Sequence, residues 1–434
     1  MMKKTVWILF FMGLTALPAH ARSDSLTIGE ALRIALQNSP TLASQRQELN
    51  KAKAGILQAD GNFTPSLSLT GQYSDNRTPT TNDGSDRSDS STAGVTVVQN
   101  LYSGGKHVAQ RRQAKESMTK AELTVKEAEE ALAVKIYSNF YGVILAHETV
   151  SAAQDAVDTS RQHLRQVRQM QALGLANQLE VIRAEQQLSS NEASLVSAKG
   201  ALDTVRINLF NLMGLPPATK NAPQGELKVA EPKGSVQESI QTAQENRPDI
   251  AVLQKQIKIQ EEQIRIARSA MSPKIDLGAT VGYSNPYQSK DQGKDTWRAY
   301  VSLEVPLYDR AQTRGEVMKA RASQEQNHLE LQQKQLDVLS EIELAWVEIG
   351  NSAVQVEARR KAYALARETL RLSEVGYREG VTPQLDLLDA QAGLTSARKD
   401  YSQALYNHLI RIVTLKRAEG ILIPWTLEGE KNEK

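Results

Sequence analysis

The amino-acid sequence predicts an α+β fold made of two similar halves, each with a short helix pair, two β-strands and a long helical hairpin. Two observations predict it. Local patterns return about 200 residues later, which indicates a duplicated domain half. Within each half, the hydrophobic period changes from helical to two and back again. The clearest matching segments are Glu30-Ala31-Leu32 with Glu238-Ser239-Ile240, Phe63-Thr64-Pro65 with Met271-Ser272-Pro273, and Gln178-Leu179-Glu180 with Gln384-Leu385-Asp386.

The N-terminus has the pattern of a secretory signal peptide. Lys3 and Lys4 precede an apolar run over 5–17 and the small-residue motif Ala19-His20-Ala21. The run is too short to span a bilayer comfortably, which argues against a membrane anchor. Losing the two lysines with the signal takes the formal net charge from +2 to zero, so the exported chain has no electrostatic footprint for nucleic acid. The chain has no cysteine, which excludes lipid attachment through an N-terminal Cys as well as disulfides.

The chain then divides into two repeats, a linker and a tail. The linker is rich in Pro and Gly, and the tail is polar, so we expect the tail to be loosely ordered. The predicted boundaries are 1–21 for the signal peptide, 214–234 for the linker and 421–434 for the tail. The first repeat is predicted over 22–213, with strands at about 64–74 and 92–102 and a helical hairpin at 106–213. The second repeat is predicted over 235–420, with strands at about 274–284 and 296–306 and a helical hairpin at 309–419.

The strands are predicted from alternation of apolar and polar residues. In the second half Ile275, Leu277 and Ala279 alternate with Asp276 and Gly278. Such strands have one apolar and one polar face. A soluble β-sandwich with one wet face would show the same pattern, as would a membrane β-barrel.

The polar segments between the strands predict long solvated loops over 74–91 and 285–295. Aromatic residues near the strand ends favour the barrel, because outer-membrane barrels carry aromatic girdles at both interfaces. These candidate membrane-interface residues are Phe63, Tyr73, Tyr102, Tyr283, Trp297 and Tyr308.

The helical hairpins are predicted to be unusually long. No Gly or Pro occurs over 106–141, and after Gly142 none occurs over 143–173. About 65 helical residues would span roughly 100 Å. A coiled-coil seam is predicted in the second half at Leu339, Ile342, Trp346 and Ile349. Large apolar residues are otherwise few, so a lone hairpin buries too little and neighbouring helices are expected to cover it.

The strand count limits how the strands could cross a membrane. Four strands cannot close a barrel, and open strand edges are not tolerated in lipid. Several copies must then share one barrel, with eight strands from two copies or twelve from three. Eight strands would leave an interior filled by side chains, whereas twelve would leave a lumen. The long helices would continue from the strands into a second, helical barrel.

The order of elements, together with one local motif, resembles the TolC-like outer-membrane efflux protein family, the outer membrane factors of tripartite export systems. The motif is Gly376-Tyr377-Arg378-Glu379-Gly380 followed by Leu385-Asp386-Leu387-Leu388-Asp389-Ala390. The resemblance implies a homotrimer in the outer membrane of a Gram-negative bacterium, with a twelve-stranded β-barrel continuous with a periplasmic helical barrel. It also implies a passive duct for efflux or type I secretion, gated at the periplasmic tip.

The resemblance extends to partners and site residues. It implies a periplasmic adaptor and an inner-membrane pump of RND, ABC or MFS type. Asp386 and Asp389 match the aspartates at the narrow tunnel entrance, three residues apart on one helix face. Tyr377 and Glu180 match the polar network that holds the tip shut. Thr382 departs from the pattern, since the best-known member has arginine there, and a charge-assisted link is lost.

Simpler structural roles would explain the same residues. Acidic residues near a helix start favour its dipole, and a tyrosine can simply pack at a helix end. At the tips, Asn177 with Glu180 is expected to cap the returning helix of the first half, and Thr382 with Pro383 the second. The expected adaptor-docking loops consist of Gly174, Leu175, Ala176, Asn177, Gly380, Val381 and Pro383.

An enzymatic function is not predicted, and neither is a cofactor. The histidines are scattered without metal-ligand spacing, and Gly104-Gly105-Lys106 lacks the full phosphate-loop pattern. The alternative to a channel is a periplasmic coiled-coil scaffold or adhesin stalk without channel activity.

Overall fold

The computed structural model describes residues 25–80, 84–216, 222–228, 234–286 and 294–426. The expected signal peptide, 1–21, lies outside the described residues, as do 427–434 of the tail. The elements are β1 (Ser25–Leu26), α1 (Ile28–Asn38), α2 (Pro40–Gly61), β2 (Ser66–Thr80), β3 (Gly84–Ser103), α3 (Lys106–Ala172), α4 (Gln178–Leu212), β4 (Ala222–Pro223), α5 (Val236–Asn246), α6 (Pro248–Arg268), β5 (Lys274–Pro286), β6 (Lys294–Glu304), α7 (Gln312–Arg378) and α8 (Gln384–Ala418).

The four long strands form one antiparallel sheet in the order β2-β3-β5-β6. Register places the apolar residues on one face, with Leu69 opposite Val95, Val95 opposite Val281, and Val281 opposite Trp297. A bulge near Asn100 places Tyr102 opposite Ile275. The alternation predicted from sequence therefore produces one apolar and one polar face.

The first strand pair is longer than predicted. β2 runs on to Thr80 and β3 begins at Gly84, so backbone pairing occupies most of the predicted loop over 74–91. The hydroxyls of Ser74 and Ser90 lie 2.9 Å apart across this extension. The polar composition of this segment wrongly predicted a loop. The hydrogen bonds of an antiparallel ladder join backbone groups, so strands can pair even where the side chains are polar.

The long helices match the prediction closely. α3 and α7 each contain 67 residues, about 100 Å at 1.5 Å per residue. α4 and α8 each contain 35 residues and return alongside them. None of the described helices contains a stretch that is both long and apolar enough to cross a membrane.

The hairpins lie side by side in the order α4-α3-α8-α7, because α3 packs on both α4 and α8, and α8 packs on α7. α2 packs on α3, whereas α6 packs on both α3 and α7. The largest buried cluster joins the middle of α3 to the end of α4 through Ile136, Phe140, Leu209 and Phe210. The contact between α3 and α8 joins the two hairpins of one chain into a single layer.

The predicted seam of α7 is buried at Ile342 and Ile349, while Trp346 packs on its edge. The indole N–H of Trp346 donates to the Ser239 hydroxyl at 3.1 Å. Two further positions, Val338 and Ala345, complete the seam. The seam packs α7 against α6 and α8.

The start of the tail is ordered, contrary to the prediction. Leu422 is fully buried beside Leu32 and Val413. The hydroxyls of Thr426 and Tyr137 lie 2.7 Å apart. The apolar side chains of this segment pack in a groove beside α3. Burial of their apolar surface outweighs the entropy lost when the segment becomes ordered. Nearby, β1 pairs in parallel with β4, which lies in the predicted linker.

Candidate functional site at the helical tip

The first-half tip is a tight turn closed by backbone hydrogen bonds. Gly174 has a left-handed φ of 76°, and the N–H of Leu175 donates to the carbonyl of Met170 at 2.8 Å. This is the hydrogen bond of a Schellman motif. Asn177 then caps α4, since its side chain accepts from the N–H of Glu180 at 3.0 Å. The predicted cap at Asn177 is confirmed.

The second-half tip has the same turn without the cap. Gly380 has a φ of 73°, and the N–H of Val381 donates to the carbonyl of Gly376 at 2.8 Å. Thr382 was expected to cap α8, but the N-cap position is occupied by Pro383, which makes no side-chain cap hydrogen bond. Thr382 instead lies against Gly376, so closely that a Cβ there would clash with its hydroxyl.

Asp386 and Asp389 share the exposed side of α8, as their spacing predicted. The opposite side is buried through Gln384, Leu387 and Leu388. Within the described part of the chain, no salt bridge includes either aspartate, whereas farther along α8 Asp400 pairs with Arg359 and Arg398 pairs with Asp155. The two carboxylates therefore project away from the packed layer, in the first turns of α8.

Tyr377 and Glu180 are brought near each other but do not form a hydrogen bond. Among the described residues, the buried hydroxyl of Tyr377 has no hydrogen-bond partner. Burial raises the pKa of Tyr377, and the negative charge of Glu180 raises this pKa further. On the single chain, the Tyr377 hydroxyl is therefore a buried group without a described partner, close to the Glu180 carboxylate.

Two residues that the sequence did not single out connect the hairpins at this point. His163 of α3 and Gln384 of α8 are both buried, with 5% of each residue exposed. The Nε2 of Gln384 lies 3.2 Å from the Nε2 of His163 and donates to the Glu180 carbonyl at 2.9 Å. The rings of His163 and Tyr377 meet edge to face at 5.4 Å. Burial lowers the pKa of His163.

A sequence signal for this cluster did exist. His163 lies next to Leu164 and four residues before Val167, both buried in the seam between α3 and α4. A titratable side chain whose spacing along the helix places it in a buried seam requires a hydrogen-bond partner there. That partner, Gln384, lies far along the chain, and its position depends on how the hairpins align.

The predicted interface aromatics are all exposed on this chain. Phe63 differs from the strand residues, because its ring packs on His107 and under Arg111 at the junction with α3. Tyr73, Tyr283 and Trp297 lie on the apolar face of the sheet. The full set and its exposures are Phe63 45%, Tyr73 66%, Tyr102 49%, Tyr283 46%, Trp297 80% and Tyr308 82%.

Comparison with solved structures shows the same fold. The Campylobacter jejuni CmeC outer membrane channel matches 93% of this chain and 89% of its own, with a TM-score of 0.78 and 16% identity. The open state of the Neisseria gonorrhoeae MtrE outer membrane channel matches 91% of this chain and 89% of its own, with a TM-score of 0.75 and 21% identity.

Similar curated proteins span nearly the whole chain. The outer membrane protein TolC of Escherichia coli is 22% identical over 97% of this chain and 87% of the relative. The cobalt-zinc-cadmium resistance protein CzcC of Cupriavidus metallidurans is 23% identical over 94% of each. The alkaline protease secretion protein AprF of Pseudomonas aeruginosa is 22% identical over 94% of this chain and 87% of the relative.

A family model described as outer membrane efflux protein matches residues 31–215 and 239–420, one match in each half. Its two matches take in both strand pairs, both helical hairpins and both tips. A scaffold or adhesin stalk without a channel does not fit this assignment. The chain belongs to the outer membrane efflux protein family and is an outer-membrane channel for efflux or secretion.

Proposed function

We propose that three copies of this chain form a continuous duct, with a shared twelve-stranded barrel and a shared helical tunnel. The observation that carries the proposal is the four-stranded sheet, whose apolar face is exposed and whose outer strands, β2 and β6, have no described neighbour on their outer edges. Unpaired edges in lipid leave backbone groups unsatisfied. Joining β6 of one chain to β2 of the next satisfies them, and three copies leave a lumen.

The two faces of the sheet suit this arrangement. Leu67, Leu69, Val301 and Leu303 would face lipid, and each is at least 65% exposed on the single chain. The other face carries Ser, Thr, Gly and charged residues, including Arg298, which suits a water-filled interior.

The helical layer has matching open sides. α4 and α7 form the two sides of the row, and both carry apolar residues that the single chain leaves exposed. A lone hairpin row would expose this area to water, which the hydrophobic effect opposes. Packing of α7 against α4 of the next chain would cover it. The exposed residues are Leu179, Ile182, Val196 and Ile207 on α4, and Met318, Leu329, Leu336, Leu344, Val347, Val354, Leu365, Leu372 and Val375 on α7.

The two halves of the chain would then occupy equivalent places around the duct. Helix lengths agree pairwise, with 11 residues in α1 and α5, 67 in α3 and α7, and 35 in α4 and α8. We attribute this agreement to an internal duplication, which makes a trimer pseudo-six-fold. The family model's two separate matches support the duplication.

The gate is proposed to lie at the tip. In a trimer, Asp386 and Asp389 would gather six carboxylates around the entrance and attract cations. Tyr377, Glu180 and Thr382 would form the polar contacts that govern whether the hairpins part. Because Thr382 packs on Gly376 rather than bridging outward, the closed state would depend on packing more than on a charged link.

The tip loops are the proposed docking surface for a periplasmic adaptor. Leu175 and Val381 are 69% and 81% exposed at the turns. An inner-membrane pump of RND, ABC or MFS type would complete the export system. The names of the relatives refer to protease secretion in one case and metal resistance in another. We therefore place cargo selection in the pump rather than in the duct.

A crosslinking experiment tests the shared barrel. The chain has no native cysteine, so Leu69→Cys in β2 combined with Val301→Cys in β6 gives a clean background for a bis-maleimide reagent. We expect covalent dimers and trimers on denaturing gels, because the two strands meet across the chain boundary. The matched control is Leu69→Cys with Val95→Cys, which are paired within one chain. Monomers alone from the β2–β6 pair would contradict the shared barrel.

A further inference from the structure

We propose that His163 and Gln384 form a proton-sensitive clamp, which ties the first helical hairpin to the second at the tip and releases when His163 gains a proton. This inference rests on the proposed gate at the tip. It concerns a buried pair outside the predicted network, since neither residue was expected to take part.

The Gln384 amide joins the two hairpins. It belongs to the first turn of α8, yet both contacts of its Nε2 are with the first hairpin, one on α3 and one on α4. An amide nitrogen has two hydrogens and donates only. The Nε2 of His163 must therefore accept, which requires a neutral ring with its proton on Nδ1.

Protonation of His163 removes this acceptor. The imidazolium would point a second N–H at the amide nitrogen, so two donors would face each other. Rotating the amide would turn Oε1 toward His163, but would also place Oε1 against the carbonyl oxygen of Glu180 and lose that hydrogen bond. In both cases the clamp loses at least one buried hydrogen bond. A buried polar group that is left without a hydrogen-bond partner costs free energy.

The surroundings of His163 do not compensate for the added charge. Glu180 of α4 is the nearby acid, but its carboxylate accepts from the side-chain amide of Asn177 at 3.3 Å, and the burial of His163 is what sets the direction of its pKa. Tyr377 of α7 meets the imidazole edge to face through its ring, and its hydroxyl makes no hydrogen bond to a described residue. On α3 itself, Arg161 is paired with Glu192 at 3.0 Å. The lowered pKa of His163, caused by burial, agrees with a ring held neutral.

The direction of the pH effect follows. The clamped state binds fewer protons at His163 than a parted state in which the ring meets water. Clamping is therefore fully favoured above the ordinary histidine pKa of about 6.5 and weakens as the pH falls below it. A single histidine can shift the equilibrium by at most about tenfold per pH unit.

Single-channel recording on the purified full-length protein in planar bilayers tests the clamp. We expect the open probability to rise by up to about tenfold between pH 7.5 and 5.5, which is the most that one histidine with a pKa of about 6.5 in the parted state can give. His163→Gln keeps a side-chain amide for hydrogen bonding but cannot be protonated in this range, so it should stay at the pH 7.5 level throughout. His147→Gln removes an exposed histidine of the same helix and should behave like the wild type.

A second pair of variants tests the Gln384 side. Gln384→Leu removes the clamp at every pH and should raise the open probability already at pH 7.5. Gln178→Leu changes the matching exposed residue of the first half and should not. Heat-resistant oligomers on gels would show that each variant has folded.

Two results would overturn the clamp. One is a pH response in His163→Gln equal to that of the wild type, and the other is a wild type whose open probability ignores pH while Asp386 and Asp389 still govern cation block. Absence of current from the wild type and every variant at every pH would contradict the proposed duct, and the clamp with it.

Discussion

The two tips use equivalent positions for different contacts. In the first half, Gln171 donates to Gln178 at 2.6 Å across its own turn, in contact with solvent. The corresponding positions in the second half hold Tyr377 and Gln384, which turn toward the other hairpin and meet His163. One tip is thus closed on itself, while the other is tied to its neighbour. A movement that parted the two hairpins at the tip would therefore have to break contacts of the second-half tip.

Charge is distributed in the same unequal way. At the positions that correspond to Asp386 and Asp389, the first half has Glu180 and Arg183. Opposite charges three residues apart largely cancel at a distance, whereas two aspartates add. At these positions the second-half tip therefore has the stronger negative field, which suits the proposed entrance.

The largest expected effect tests that difference. Replacing Asp386 and Asp389 together with Ala should weaken block by a multivalent cation such as hexamminecobalt(III) by about a hundredfold in bilayer recordings, because several carboxylates would act on one ion at short range. The matched change, Glu180→Ala with Arg183→Ala, should alter block by less than about threefold. Equal block before and after the aspartate replacement would refute the ring.

The elements of this fold that a single local pattern decides could be predicted from the sequence. Strand alternation and the lack of Gly and Pro in the hairpins are local, and both led to the observed elements. Extension of β2 to Thr80 was missed because ladder hydrogen bonds come from the backbone. Order at Leu422 was missed because its groove exists only once α1, α3 and α8 have packed.

The candidate site at the tip was predictable only where local helix periodicity places its residues. Asp386 and Asp389 share a face by helix periodicity alone. The contact of His163 with Gln384 joins residues on different hairpins, so it depends on the alignment of α3 with α8. Thr382 was expected to cap α8 because it precedes Pro383. Its side chain instead packs against Gly376, a contact that depends on the folded turn.

A medium effect is expected at Gly376. Its first-half counterpart is Met170, which already carries a Cβ, whereas a Cβ at Gly376 would meet the Thr382 side chain. Gly376→Ala should therefore loosen the second tip by about 1–3 kcal/mol. Hydrogen exchange should quicken roughly ten- to a hundredfold at the amides of Val381 and Thr382, which donate to the Gly376 carbonyl.

Two further variants separate the clash from a general effect. Adding Thr382→Ala to Gly376→Ala removes the hydroxyl and should restore part of the protection. Met170→Ala should leave exchange at the first tip within about threefold of the wild type. Unchanged exchange in Gly376→Ala alone would show that Thr382 can move aside without cost.

The smallest effect is expected from the hydroxyl of Tyr377. Because this buried group has no described partner, Tyr377→Phe should change the free energy of unfolding by less than about 0.5 kcal/mol, or stabilise slightly. Tyr377→Ala should cost about 3 kcal/mol, since it removes the ring that packs on His163. Chemical denaturation in detergent measures both.

The pH dependence gives Tyr377 a sharper test. The pKa of Tyr377 is raised in the folded protein, so the hydroxyl's contribution to stability is complete below the ordinary tyrosine pKa of about 10 and is lost as the pH rises through the folded value. Wild-type protein should therefore lose stability above about pH 10 more steeply than Tyr377→Phe. At the first tip, Gln171 cannot ionise, so Gln171→Ala should follow the wild-type slope. If Tyr377→Phe were as damaging as Tyr377→Ala, the hydroxyl would have a partner in the assembled channel, and the two tips would be more alike than the single chain indicates.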